Sequence, residues 1–312
     1  MPFSHHSHSG QFCPSHARNT LEEMIQTAIA RKMQVFALTE HIPREEQDFY
    51  PGEREAHTTV ERLHELIDGF YEHAVQMRQK YADQIQILIG FEGEWIRPST
   101  LTLIKELQAR HNFDYFVGSV HHVYTIPIDY DKATYDEVKK LVGGSDEELF
   151  GEYFDAQYAM LQKLKPQVVG HFDLIRLFSA DPNGSFKQWE DVWEKIIRNL
   201  KFIASYGGIV ELNSSALRKG MSEPYPQVEI CQEFLAMNGQ FTLSDDSHGV
   251  EQVGLNYDRV LDAIRKAGIQ QICFLERQGE EPRDGFGALP TAAISLSQLE
   301  SHPFFSTAPA EA

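Results

Sequence analysis

Long apolar runs, basic residues and cysteines are all scarce in this chain, and each shortage removes a class of function. No stretch of the 312 residues approaches the roughly eighteen consecutive apolar positions of a membrane-spanning helix, so no membrane partner is expected. The start also lacks the basic-then-apolar layout of a signal peptide. Only three cysteines occur, Cys13, Cys231 and Cys273, an odd and widely spaced set that argues against a disulfide framework and for a reducing compartment. A soluble cytoplasmic protein is therefore expected. Lys and Arg total 28 against 46 Asp and Glu, a formal charge of -18 with no basic stripe, which disfavours nucleic acid as a partner. A small anionic substrate is still compatible, because bound divalent cations would be the largest local charges in a cleft. There is no repeat, low-complexity tract or interdomain linker before the last few dozen residues. With 42% hydrophobic and 24% charged residues the composition is that of a globular protein, one large α/β domain or two ordinary ones.

What the chain does have is histidine in informative places. The opening stretch reads Ser4-His5-His6-Ser7-His8-Ser9-Gly10 and is followed by His16. In an extended segment side chains alternate faces, so His6 and His8 point to one side and can hold one metal together. His5 points the other way and is expected beside the site or exposed.

The rest of the chain alternates strand and helix. Thr20-Leu21-Glu22-Glu23 reads as a capping box opening a helix over about 20–32. A buried strand over 35–39 then delivers Glu40 and His41. A polar, Pro- and Gly-broken loop is expected over 43–57, and a long helix over 59–81. The strand at 85–91 ends in Glu92; after a helix over 100–110, the strand at 115–120 ends at His121. Residues 124–144 read as an insertion without a clear strand, followed by a helix over 146–164. A short strand at 168–170 ends at His171, with Asp173 two residues on. Helix 189–205, strand 208–213, helix 227–237 and strand 240–244 lead to Asp245-Asp246-Ser247-His248. A helix over 257–267 and a strand at 272–275 complete the pattern.

Polar residues gathered at strand C-termini are the signature of a (β/α) barrel with its site on that face, and this is preferred over an open doubly wound sheet, which collects its ligands at one crevice. The strand-end set is His6, His8, His16, His41, Glu92, His121, His171, Asp246 and His248. So many donors exceed one tetrahedral ion and suit two or three divalent ions, with Glu92 as the natural bridge. Either aspartate of the 245–246 pair could be a ligand, and the D-x-H spacing selects Asp246.

Taken in order, His6-Ser7-His8, Thr39-Glu40-His41, Gly90-Phe91-Glu92, Gly118-Ser119-Val120-His121, Gly170-His171-Phe172-Asp173 and Asp246-Ser247-His248 resemble the motifs of the polymerase and histidinol phosphatase (PHP) family. Asp173-Leu174-Ile175-Arg176 and the run from Glu211 to Gly220 are similar to its histidinol-phosphate phosphatase branch. The resemblance implies a distorted (β/α)7 barrel over 1–275 and a tail, 276–312, packing on it or extending from it. Seven strands are one fewer than the sequence offers, so either the opening or the 272 segment falls outside the closed barrel. It further implies two or three divalent ions, Zn, Mn or Fe. His6, His8, Glu92 and Asp246 would hold the first, Glu92, His121 and His171 the second, and His16, His41 and His248 the third, with Cys13 competing for the place of His16.

The implied activity is hydrolysis of L-histidinol phosphate, in histidine biosynthesis, by a metal-bridging hydroxide, with Glu92, Asp246 and His248 carrying the catalysis. Arg176 and Arg218 are the candidate phosphate clamp, since guanidinium matches phosphate oxygens in pairs. Glu40 or Asp173 would meet the cationic end of the substrate, or Asp173 would orient a ligand imidazole. Competing readings are another phosphoesterase of the family, an amidohydrolase-type barrel and an inactive metal-binding module. His57, His64, His73, His111, His122 and His302 are read as ordinary core or surface histidines.

Overall fold

The computed structural model describes residues 2–14, 16–277 and 289–306. Seven parallel strands lie side by side in chain order: β1 (Phe3–Ser4), β2 (Val35–His41), β3 (Gln86–Glu94), β4 (Tyr115–Ser119), β5 (Val168–Val169), β6 (Ile209–Asn213) and β7 (Gln240–Ser244). Most carry apolar residues on both faces, as parallel strands must when helices cover the outside and side chains fill the inside. Register then sets function: His41 at the end of β2 stands opposite Glu92 of β3.

The sheet curls into a nearly closed barrel. Its seam joins the opening segment to the end of β7: His5 N donates to Leu243 O (3.1 Å), Asp246 N to His6 O (3.0 Å) and His8 N to Ser247 O (2.8 Å). The first and last ligand-bearing segments are thereby laced together.

Helices form where caps and apolar spacing coincide. Thr20 and Glu23 make a reciprocal capping box at the head of Leu21–Ala30, which buries Leu21, Met24, Ile25 and Ala28. Ser145 and Glu148 do the same for Asp146–Leu164. Three expectations change. The insertion is not irregular: it holds a small hairpin, His122–Val123 with Ile126–Pro127, and a helix, Lys132–Leu141, capped by Asp131. That helix buries only Tyr135 and Val138, too sparse a pattern to show as a period. The 43–57 loop contains a 3-10 turn, Glu46–Asp48, and a short helix, Pro51–Glu55, started by its proline.

The third change concerns the tail, since the 272 segment is one of the two alternatives expected outside the barrel. Strand β8 (Gln271–Leu275) stays out of the barrel sheet and pairs antiparallel with β9 (Thr291–Ser295), within what the sequence suggested was tail. Residues flanking this hairpin bond to residues at the starts of barrel strands: Arg277 O accepts from Gln86, Arg277 Nε donates to Asp114, and Gln167 pairs with both backbone groups of Leu289. The hairpin thus closes the barrel end opposite the ligand cluster.

His5 is explained by that closure. It is fully buried, not exposed: its Nε2 accepts from Leu275 N at 3.0 Å and its Nδ1 lies 3.1 Å from Thr242 Oγ1. Accepting at Nε2 fixes the proton on Nδ1, and burial pushes the imidazole down to about 4, so it stays neutral.

Candidate metal centre

Every barrel strand delivers polar side chains to one end, where they surround Glu92. That carboxylate is 1% exposed and is approached from both sides. Its Oε2 lies 3.4 Å from His6 Nε2, 3.5 Å from His8 Nε2 and 2.9 Å from His41 Nδ1. Its Oε1 lies 2.9 Å from His171 Nε2 and 3.3 Å from His121 Nε2, and those two nitrogens are 3.0 Å apart. Asp246 adds Oδ1 at 3.8 Å from His6 Nε2 and 3.6 Å from His8 Nε2. Residues distant in the chain therefore converge as expected, with Glu92 between two groups of imidazoles.

The electrostatics suit cations. Burial by itself would raise the Glu92 pKa, yet His6, His121 and His41 hold it well below the usual carboxylate range; Asp246 is held low against burial by His6, His248 and Arg218. Burial and neighbouring His8 push His41 down to about 3, and the same two causes lower His248; against burial, Glu92 and the other nearby carboxylates hold His6 and His121 well above the usual imidazole range. Nε2 of His6 and both nitrogens of His8 are buried without a hydrogen-bonding partner. Such atoms are costly to leave unpaired, and a divalent ion satisfies them. The donor set fits the expected metals: three overlapping groups, His6/His8/Glu92, His41/Glu92/His121 and His8/His41/His248, each have ligand atoms within 4.8 Å of one another.

The second and third groups are composed differently from the expected sets: His41 stands with Glu92 and His121 where His171 is expected, and His8 stands with His41 and His248 where His16 is expected. His16 does line the cavity, its ring 5.9 Å from that of His41 and 5.1 Å from Tyr50, but it is outside these groups. Cys13 is likewise outside them; it lines a neighbouring space, and burial pushes its thiol up, away from the thiolate that a metal requires. The turn carrying both is tight: a Cβ on Gly10 would meet Ala17 O and Arg18 Cα at 2.8 Å.

Asp246 adopts a left-handed backbone conformation, φ 48°, uncommon for a residue other than glycine. Arg218 braces that turn, donating to Asp245 O (3.0 Å) and Asp246 O (2.8 Å) while lining the cavity. Asp245 turns away, accepting from Ser247 N and Gly254 N.

The structure does not bring Arg176 to the cavity wall. It is 1% exposed, and its guanidinium donates to Asp173 Oδ2 (2.9 Å) and to the carbonyls of Pro182, Glu223 and Pro224. A fully buried guanidinium needs such partners, and none remains for a ligand. Asp173 correspondingly serves Arg176 and Gln227 N, not a ligand imidazole or the mouth. Glu40 is also away from the mouth. It accepts from Ser9 N and Ser9 Oγ and stands 3.6 Å from His8 Nδ1.

Three acids matter that the motifs did not flag as site residues. Glu211 on β6 receives His6 Nδ1 at 3.2 Å and His171 N at 2.6 Å. Glu94 reaches His122 Nδ1 at 2.5 Å and His121 Nδ1 at 3.4 Å, and is paired with buried Arg44 at 3.2 Å. Asp129, from the insertion, joins the wall of the cavity above the cluster. That cavity measures about 370 Å³, with Tyr50, Tyr130, Arg218 and Lys219 among its lining. A charged residue inside a fully buried strand, as Glu211 is in Ile209–Asn213, is the available signal.

Comparison with known proteins covers the same residues. The PHP domain model matches 4–215, from β1 through Glu211. The chain is 48% identical over 279 residues to the "Probable histidinol-phosphatase" of Schizosaccharomyces pombe, covering 89% of this chain and 90% of that protein. It is 34% identical over 338 residues to the histidinol-phosphatase of Saccharomyces cerevisiae, covering 97% and 98%. Its fold is similar to that of a solved histidinol phosphate phosphatase from Lactococcus lactis complexed with zinc, L-histidinol and phosphate: TM-score 0.65, 21% identity, 87% of this chain and 95% of that one. A candidate histidinol phosphatase from Listeria monocytogenes superposes with TM-score 0.73 at 24% identity, covering 82% and 99%. The domain model stops before Asp246 and His248, but the yeast relatives extend along nearly the whole chain, and with the barrel and its strand-end histidines this chain belongs to the PHP domain family.

Proposed function

We propose that the chain hydrolyses L-histidinol phosphate to L-histidinol and phosphate, using two or three divalent ions held by His6, His8, His16, His41, Glu92, His121, His171, Asp246 and His248. Zinc, manganese and iron all suit these nitrogen and oxygen donors. The observation that carries the reading is Glu92, whose two oxygens separate His6, His8 and His41 from His121 and His171 beneath a cavity that also presents an arginine. Two curated relatives with high coverage bear the same activity in their names.

When bound, the ions supply Lewis acidity toward the phosphoryl oxygens and lower the pKa of water. The chain's own groups do the rest. Glu211 holds the His6 proton on Nδ1, so that Nε2 offers its lone pair to the cluster. His248 Nδ1 faces Asp246 O at 2.9 Å, which fixes its proton there and leaves Nε2 free as a donor atom. Arg218 presents the part of its fork not used by the two backbone carbonyls to the substrate phosphate, beside Lys219. Asp246, ionised at the cavity wall, is placed to take a proton from the attacking water and to return it to the departing alkoxide.

The test is phosphate release by metal-reconstituted protein across a panel of small phosphomonoesters. Histidinol phosphate is expected to give much the highest kcat/KM. Inactivity toward it, with good turnover of another ester, would sink the substrate assignment.

A further inference from the structure

Three acidic residues line the cavity: Glu92, Asp246 and Asp129. The first two belong to the histidine cluster. Asp129 does not, and among the described residues no group of convergent metal donors includes it. Its Oδ1 is buried without a hydrogen-bonding partner, and no described cation lies within ion-pairing distance of it. Such an oxygen carries a desolvation cost that a bound donor removes.

Asp129 is also firmly placed. Ile128 N donates to His121 O at 2.8 Å, tying the preceding residue to the segment that carries a candidate ligand. Asp131, two residues on, caps Lys132–Leu141 by accepting from Thr134 N at 2.8 Å. Two aromatic rings accompany it: Tyr50, buried, and Tyr130, 38% exposed, with centroids 6.0 Å apart. A carboxylate oxygen lacking donors, on a wall it shares with these two rings, suits an organic cation, although one face of Tyr50 already carries the Arg44 guanidinium at 4.7 Å. The cationic side chains on the wall, Arg218 and Lys219, suit the phosphate instead.

We propose that Asp129, flanked by Tyr50 and Tyr130, receives the ammonium group of an amino-alcohol phosphate and sets the enzyme's preference for that class of ester. The inference rests on the reading of the chain as a histidinol-phosphatase. In histidinol phosphate the ammonium-bearing carbon adjoins the carbon that carries the phosphate ester. The ammonium therefore stays close to the metal-held phosphate however the imidazole turns, within the reach of one cavity wall.

The experiment compares two substrates on the same enzyme preparation: histidinol phosphate and the matching imidazolylpropyl phosphate, which lacks only the amino group. In Asp129→Asn the ratio of the two kcat/KM values should fall about tenfold or more, the worth of a charge-assisted hydrogen bond. The ratio does not depend on the fraction of enzyme that folds. Asp129→Ala, measured in the same way, guards against an asparagine that still accepts a hydrogen bond. A ratio equal to wild type in both variants overturns the proposal. Failure of the wild-type enzyme on histidinol phosphate would instead overturn the functional reading beneath it.

Discussion

Glu211 holds its carboxylate 3.2 Å from Nδ1 of His6, a residue 205 positions earlier, and accepts the backbone N–H of His171 with the same side chain. One buried acid therefore orients donors of both halves of the cluster. Glu211→Gln is expected to weaken metal retention and lower kcat/KM by about 10–100-fold, the usual cost of losing a group behind a metal ligand. Metal content after gel filtration, and activity titrated with added manganese or zinc, would measure it. Full metal content at wild-type activity would mean that packing alone orients His6.

The two candidate arginines should separate by phenotype. Removing Arg176 leaves Asp173 buried without its partner and three carbonyls without a donor, so Arg176→Ala should cost about 3–5 kcal/mol in urea unfolding. Arg218→Ala should mainly raise KM or lower kcat/KM with the fold retained, and Arg218→Lys should rescue little, because one ammonium cannot brace two carbonyls and clamp phosphate. A stable, catalytically impaired Arg176→Ala would return that residue to the clamp.

Chelation should abolish phosphate release and lower Tm, because ions that bind only the folded chain stabilise it. Within that behaviour, His16→Ala should reduce the metal stoichiometry, while Cys13→Ser should leave it at the wild-type value. The physical ground is the buried thiol, held protonated, against a histidine on the cavity wall. Metal counting by mass spectrometry distinguishes the two. Loss on Cys13→Ser alone would reverse the assignment.

Asp146 supplies a pH dependence away from the cluster. Burial opposes its ionisation, but Ala180 N–H, Lys139 and Tyr135 outweigh it and hold the carboxyl below its ordinary 3.8. A depressed folded-state pKa contributes stability that is present above pH 4 and is lost as the pH falls through the folded value. Asp146→Asn should therefore destabilise the protein at pH 7, by about 1–2 kcal/mol, and by progressively less below pH 4. Urea unfolding of both proteins at the two pH values checks this; an equal difference at each would remove Asp146 as the source.

Much of the barrel, and the gathering of its strand-end residues, is legible because period-2 alternation and strand-end position depend on local order. His6 and His8 on one face, and His41 beside Glu92 at adjoining strand ends, are both geometries that follow from it. His5 was placed correctly on the other face, yet that face is not solvent, because a hairpin far along the chain covers it. Arg176 escapes the local pattern for a related reason: its partners at Pro182, Glu223 and Pro224 come from loops whose paths no local pattern encodes. Asp129 is not legible in the sequence because its segment has too few buried residues to show a period. What a side chain does when it faces inward is decided by what else arrives there.

The seam between the opening segment and the end of β7 makes the cluster a latch. His6 and His8 meet Asp246 and His248 only when the barrel closes, so half-closed chains present incomplete donor sets. Ion uptake and closure are then coupled as one thermodynamic event, and each favours the other. Contacts spanning most of the chain form late and slowly in folding. The centre that performs the chemistry would thus also register that the whole barrel has been assembled.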